Sequence, residues 1–233
     1  MNWKTLLRYY GSKSKLLNHY PKPLHEYIIE PFAGGACYSL RYANKKVLLI
    51  DKDPNVIAVW EYLIKTPLTE VLNSIPCPNA GEDIRRYFYK STPIGLKMFL
   101  HMETNHGSPT FTRKNIVTPF ADYWFPRLPE KLKFFLPQIQ HWNVVCGDYT
   151  SSPNIEATWY VDPPYNNKAG QRYVYHSLDF IALGNWCRSR IGQVIVCENE
   201  GATWLPFQPL TIGRSRPNVN AQREAIWINE NSK

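Results

Sequence analysis

The sequence predicts an α/β fold built on one mostly parallel sheet, and three observations carry that prediction. Short apolar runs that end in an acidic residue recur along the chain: Tyr27-Ile28-Ile29 before Glu30, Val47-Leu48-Leu49-Ile50 before Asp51, and Thr158–Val161 before Asp162. Continuous apolar runs of this length belong to strands covered on both faces. Between the first two runs lie a small-residue loop, Pro31-Phe32-Ala33-Gly34-Gly35-Ala36, and a helix-length segment, which is the repeating unit of a doubly wound sheet. The middle of the chain lacks this pattern, and the pattern then returns. The full expectation is a Rossmann-like sheet with a C-terminal antiparallel hairpin and an inserted, mainly helical subdomain.

Taken in order, the first strand is expected at His25–Glu30 and the first helix from about Cys37 to Ala43. The run Val47–Ile50 is the second strand. A second helix starts near Pro54, because proline suits the first helical turn, and carries Val56, Ile57, Val59, Trp60, Leu63 and Ile64. From about Thr66 to Leu136 prolines and polar turn residues dominate, with the basic-aromatic segment Arg85-Arg86-Tyr87-Phe88-Tyr89-Lys90 and an exposed loop near Asn105–Asn115. Strands are expected again at Trp142–Cys146, Thr158–Val161 and Gln193–Cys197. Leu210–Gly213 and Ala225–Asn229 form the closing hairpin around the basic loop Arg214–Arg223. The domain boundaries follow: residues 1–65 and 138–233 form one domain, interrupted by an insert at 66–137.

The chain has 233 residues, 44% hydrophobic and 20% charged, which are globular values. Lys+Arg 27 against Asp+Glu 19 gives a net charge of +8, a bias toward polyanions such as nucleic acid. Aromatic residues reach 14%, and they serve equally to fill a core or to stack on bases. The five cysteines form no Cys-x-x-Cys pair, so free thiols are expected, with neither a disulfide framework nor a zinc site. The N-terminal residues lack the apolar stretch of a secretory signal, and no run is long enough to span a bilayer. A cytoplasmic protein with no metal and no membrane partner is expected.

Four segments carry chemistry. Asp162-Pro163-Pro164-Tyr165 directly follows an apolar strand, at the sheet edge where α/β proteins bind ligands. An exocyclic amino group on a base is a weak nucleophile, because its lone pair is delocalised into the ring. Two acceptors aimed at its hydrogens draw it toward tetrahedral geometry, and the Asp162 carboxylate and the Pro163 carbonyl are suited to this. The diproline makes the backbone rigid, and Tyr165 can stack on the base. Alternatively the segment is a strand-end turn. The second segment, Glu30–Ala36, has glycines that let a backbone approach a ligand, or simply allow tight packing. Asp51, roughly 20 residues after that turn begins, holds the ribose-hydroxyl position of nucleoside-binding sheets; it would otherwise be a helix N-terminal acid. The third, Arg8-Tyr9-Tyr10-Gly11-Ser12-Lys13, reads alone as a basic turn entering a helix. The fourth is Gly147-Asp148 after a strand, where Asp148 either accepts from an adenine amino group or is an ordinary turn residue.

In this order the four segments resemble the Dam-type (alpha-group) family of adenine-specific DNA amino-methyltransferases. Arg-Tyr-Tyr-Gly-Ser-Lys is similar to the family's N-terminal motif, with Ser12 in place of its second glycine. Glu-Pro-Phe-Ala-Gly-Gly-Ala is similar to its cofactor loop and Leu-Ile-Asp to its ribose-binding strand end. Tyr173-Val174-Tyr175-His176 is similar to a family segment near the DNA. The resemblance covers roughly residues 5–65 and 140–200. It implies a class I methyltransferase sheet, S-adenosyl-L-methionine as cofactor, double-stranded DNA as partner, a monomer, and a target-recognition role for the insert. It implies cofactor binding by Tyr9, Lys13, Pro31, Phe32, Ala33, Gly34, Gly35, Asp51 and Asp148, and action on a flipped-out adenine by Asp162, Pro163, Pro164 and Tyr165. Candidates for DNA contact are Arg85, Arg86, Arg113, Lys114, Asn115, Arg214 and Arg216, since Arg and Asn read base edges and Arg and Lys touch phosphates; for any one of them a solvated surface residue is the favoured alternative, and the resemblance adds Tyr173 and His176.

Other readings use the same residues differently. An RNA or amino-cytosine methyltransferase would share the pocket. A non-catalytic nucleic-acid-binding module would not need Asp-Pro-Pro-Tyr. A nicotinamide-dependent oxidoreductase is opposed by the incomplete glycine fingerprint.

Overall fold

The computed structural model describes residues 3–105, 115–118, 125–210 and 224–229. Seven strands form one sheet: β1 (Tyr27–Glu30), β2 (Lys46–Asp51), β3 (Asn143–Cys146), β4 (Ala157–Val161), β5 (Gly192–Asn199), β6 (Gln208–Pro209) and β7 (Glu224–Ile228). Their order across the sheet is β3-β2-β1-β4-β5-β7-β6. The first five are parallel; β7 runs antiparallel to β5, and β6 antiparallel to β7. The closing hairpin is present, although the described strand before it is Gln208–Pro209, and residues 211–213 of the expected Leu210–Gly213 lie outside the described residues.

Alternation along the strands splits the core. Ile28, Leu49, Tyr160, Ile195 and Cys197 face one side, and Ile29, Ile50, Trp159, Val161, Val194 and Val196 the other. On the first side pack α1 (Cys37–Arg41), α2 (Pro54–Lys65), α4 (Ile94–Thr104) and α5 (Leu128–Ile139); on the second packs α6 (Phe180–Arg188). A short α3 (Leu68–Asn73) lies between α2 and α4 in the chain. The Asp53 carboxylate caps α2 by accepting from the Asn55 amide at 2.9 Å, with Pro54 in the first turn. Asp179 caps α6 in the same way, taking two amides.

The described part of the middle segment carries α3, α4 and the start of α5, and residues of these helices share the core of the sheet. Leu96, Phe99, Leu132 and Leu136 join Leu49, Val56 and Leu63 in one cluster. A buried ionic group ties the segment to the chain start. Glu103 on α4 takes Lys131 Nζ from α5 at 3.1 Å and the Arg8 amide at 3.0 Å. Breaking such a pair strands a buried charge, at a cost of about 3–5 kcal/mol.

The segment after Lys13 departs from the expected helix. It makes a single 3-10 turn, Leu17–His19, and Tyr20 is already extended. Pro21 explains this, since its ring excludes helical geometry from the residue before it.

The order in which strands are added reverses between β1 and β4: β1 leads outward to β2 and β3, while β4 leads the other way to β5. These two strands are neighbours, so a crevice opens beyond their C-terminal ends, at the switch point where open α/β sheets take ligands.

Candidate active site

Beyond β1 the chain turns through Pro31–Ala36. Gly34 has φ 42° and Ala36 φ 45°. A Cβ on Gly34 would stand 2.8 Å from the Tyr9 ring, so glycine is required there both by the backbone and by the approach of Tyr9. The loop is pinned from both sides. The Gly34 amide donates to Asp51 Oδ2 at 2.9 Å, and Trp60 Nε1 donates to the Gly34 carbonyl at 2.9 Å.

Asp51 ends β2. Its Oδ1 accepts the Asp53 amide at 2.9 Å. The carboxylate also lines the cleft. Burial pushes its pKa up to about 6, against the pull of the Gly34, Asp53 and Lys52 amides. Asp148 follows β3; it accepts from the Thr150 amide and hydroxyl at 3.2 Å and meets Lys52 Nζ at 3.2 Å. Phe32 and Tyr149 stack across the cleft wall, with ring centroids 5.7 Å apart and planes 26° apart.

Asp162 stands at the end of β4, one strand away from the glycine loop. Lys13 Nζ lies 3.6 Å from Asp162 Oδ1, 3.5 Å from Glu224 Oε1 and 4.3 Å from the centroid of the Tyr165 ring. The Tyr165 hydroxyl donates to Glu224 Oε2. Burial pushes the Asp162 pKa up to about 6; Lys13 opposes this and Glu224 adds to it. Burial works to lower the Lys13 pKa, but the two carboxylates outweigh it and the net direction is upward, so the lysine stays charged.

The N-terminal strap closes over this centre. Gly11 has φ 76°, and a Cβ there would stand 2.1 Å from Tyr173 Oη. The Tyr173 hydroxyl instead donates to the Tyr10 carbonyl at 2.9 Å, and the two rings lie 5.5 Å apart. Ser12, where a glycine was expected, points to Cys37 with Oγ 2.9 Å from Sγ.

One cleft, with about 920 Å³ of empty space partly open to solvent, is lined by all nine residues expected to bind a cofactor: Tyr9, Lys13, Pro31, Phe32, Ala33, Gly34, Gly35, Asp51 and Asp148. Asp162 and Pro164 line it as well, while Pro163 and Tyr165 line an adjoining pocket with Lys13, Asp162 and Tyr173. His176 is exposed at the end of the same segment, with Nδ1 2.8 Å from the Tyr173 carbonyl. Arg85 and Arg86 are exposed in the 3-10 turn Ile84–Tyr87, beside Asp83 and Glu82 respectively.

Asn115 corrects the expectation of a DNA contact. It is fully buried, and its Oδ1 accepts from Asn105 Nδ2 at 2.9 Å. Its carboxamide braces the end of α4 and does not face solvent. Arg113, Lys114, Arg214 and Arg216 lie outside the described residues. Two residues of the site had not been singled out from the sequence. Tyr149 was signalled by its place next to Asp148. Glu224 carried no sequence signal beyond being an acid before an apolar strand.

Comparison with known proteins agrees with this geometry. The family profile described as D12 class N6 adenine-specific DNA methyltransferase matches residues 9–182. The DNA adenine methylase of Vibrio cholerae serotype O1, strain O395, is 26% identical over 180 residues, covering 70% of this chain and 65% of that protein. The retron Ec67 DNA adenine methylase of Escherichia coli is 25% identical over 185 residues, covering 70% and 64%. The chain thus spans just under two thirds of the length of these curated relatives.

Proposed function

This chain belongs to the D12 class N6 adenine-specific DNA methyltransferase family, and on that footing we propose that it transfers a methyl group from S-adenosylmethionine to the exocyclic N6 nitrogen of adenine in double-stranded DNA. The observation that carries the reading is the meeting of two strand ends in one cleft. Asp51 lies at one end, its carboxylate lining the cleft as an acceptor for a ribose diol, and Asp162-Pro163-Pro164-Tyr165 at the other.

The donor set fits the cofactor. Asp51 is a part-buried carboxylate that lines the cleft and accepts the Gly34 and Asp53 amides, one on each oxygen, and hydroxyl donors would add to these. Phe32 and Tyr149 offer aromatic faces, and Asp148 offers an acceptor for an amino group. When bound, S-adenosylmethionine supplies an electrophilic methyl carbon on a sulfonium.

Asp162 and the Pro163 carbonyl accept the two amino hydrogens and localise the lone pair on nitrogen. Above about pH 6 Asp162 is ionised, as an acceptor must be. Tyr165 stacks on the base and fixes its plane for in-line attack. Transfer of the methyl carbon to nitrogen would break its bond to the sulfonium sulfur, which keeps the electron pair as a thioether, and would leave the nitrogen one proton in excess, which Asp162 is placed to take. The insert at 66–137 would carry target recognition, with Arg85, Arg86, Tyr173 and His176 in reach of DNA and Arg113, Lys114, Arg214 and Arg216 as further basic contacts.

The test is transfer of a labelled methyl group to genomic DNA lacking adenine methylation, followed by separation of product nucleosides by mass. N6-methyladenine is the expected product. Methylated cytosine, or no DNA product, would contradict the reading.

A further inference from the structure

We propose that Glu224 is a positioning residue for methyl transfer, holding the Tyr165 ring through its hydroxyl and giving Lys13 a second anion besides Asp162. The proposal rests on the methyltransferase reading of the site.

Glu224 opens β7, paired in register with Asn199 of β5, and is buried. The sheet itself does not call for a carboxylate there, since an apolar side chain covers a sheet without the desolvation cost of a charge. Both contacts of this carboxylate lead to residues of the site. Oε2 accepts the Tyr165 hydroxyl, and Oε1 lies 3.5 Å from Lys13 Nζ.

The first contact places the ring. The hydroxyl lies on the axis of the outer torsion, so the bond to Glu224 anchors the far end of that axis, and because a phenolic O–H prefers the ring plane the direction of the accepting oxygen favours one ring orientation. Productive stacking demands alignment within about 10–20°. The second contact concerns charge. Lys13 stands between two carboxylates, 3.6 Å from one and 3.5 Å from the other, and over the ring of Tyr165. A base stacked on that ring face displaces the ammonium. Glu224 is the anion positioned to receive it, leaving Asp162 free to accept the amino hydrogen.

The charged groups facing Asp162 are Lys13 from the N-terminal strap, Glu224 from β7 and Glu198 from β5; Glu30 of β1, Cys197 of β5 and the neighbouring tyrosines are kept neutral through the acid limb by burial. Neutralising Glu224 removes one of the negative charges that keep Asp162 protonated to a higher pH. The acid limb of the rate profile therefore moves to lower pH, which a purely structural role would not cause.

The experiment compares the wild-type chain, Glu224→Gln and Tyr165→Phe, with DNA and labelled S-adenosylmethionine, measuring kcat, both KM values and the pH profile. Glu224→Gln is expected to lose about 10–100-fold in kcat, in line with a small misplacement of a reacting group, with cofactor affinity within about twofold of wild type. Its acid limb should lie below that of the wild type. Tyr165→Phe keeps the ring but not the tether and should lose a similar factor, and the double variant should lose little more than either single one. An active wild type with an unaltered Glu224→Gln overturns the positioning role alone. An inactive wild type overturns the methyltransferase reading instead. If Glu224→Gln does not fold, Tyr165→Phe decides, and unchanged kcat in that variant overturns the proposal.

Discussion

Lys13 and Asp162 lie 3.6 Å apart, Nζ to Oδ1, although the whole middle segment of the chain separates them in sequence. Lys13 opposes burial at the group on which the proposed chemistry depends. Burial holds the Asp162 pKa up at about 6, and Lys13 is the strongest influence pulling it down. Transfer needs the ionised form, so kcat/KM, which reports the free enzyme, should fall as pH drops through about 6. Lys13→Gln removes the opposing cation, so the acid limb should move to higher pH. A limb that stays in place in that variant would show that another group controls the profile.

Asp51 should contribute to cofactor affinity. Asp51→Ala leaves the Gly34 and Asp53 amides without their acceptor and removes the proposed ribose contact. Binding of S-adenosylmethionine, measured by calorimetry, should weaken by about 1–3 kcal/mol, the usual result of leaving buried hydrogen-bonding groups unmatched. An unchanged dissociation constant would count against the ribose assignment.

How much of this was legible beforehand follows from where the information lies. Asp51 and Asp162 were readable because each ends an apolar run, and strand ends of a parallel sheet converge on one edge. The glycine loop was readable because small residues cluster between a strand and a helix. Glu224 was not. Its significance depends on β7 running antiparallel beside β5, which brings it to the hydroxyl of a tyrosine 59 positions earlier. Asn115 misled for a related reason. An Asn beside Arg and Lys reads as a surface contact, yet the fold turns it inward against Asn105. The prolines of the middle segment marked its turns, but they could not show that Phe99 and Leu132 join the core under the sheet.

Glu30 makes stability depend on pH. It is buried at the end of β1 and accepts the Ser39 amide at 2.8 Å, yet burial dominates and raises its pKa to about 8. A carboxyl raised above its unfolded value stabilises the fold fully below that ordinary value. It loses the contribution as pH rises through about 8. Glu30→Gln cannot ionise, so its melting temperature should gain on the wild type between about pH 5 and pH 9. A constant difference across that range would show that Glu30 stays in one protonation state.

Gly11 makes a left-handed turn in the strap, directly against Tyr173. Gly11→Ala must hold a positive φ and would bring a Cβ against Tyr173 Oη. A left-handed non-glycine residue costs about 1–3 kcal/mol, so denaturant unfolding should show a loss of at least that order, with the Tyr173–Tyr10 hydrogen bond broken. Wild-type stability would show that the strap gives way freely.

The central claim is that Asp162 activates an adenine amino group beside a bound methyl donor. The most direct measurement is the N6-methyladenine formed from one unmethylated DNA by the wild type and by Asp162→Ala, with S-adenosylmethionine binding measured on both. Methyladenine from the wild type, a loss of product in the variant of at least about a hundredfold, the lower range for a general acid–base group, and nearly equal cofactor affinity are the predicted result. Turnover retained in Asp162→Ala would contradict it.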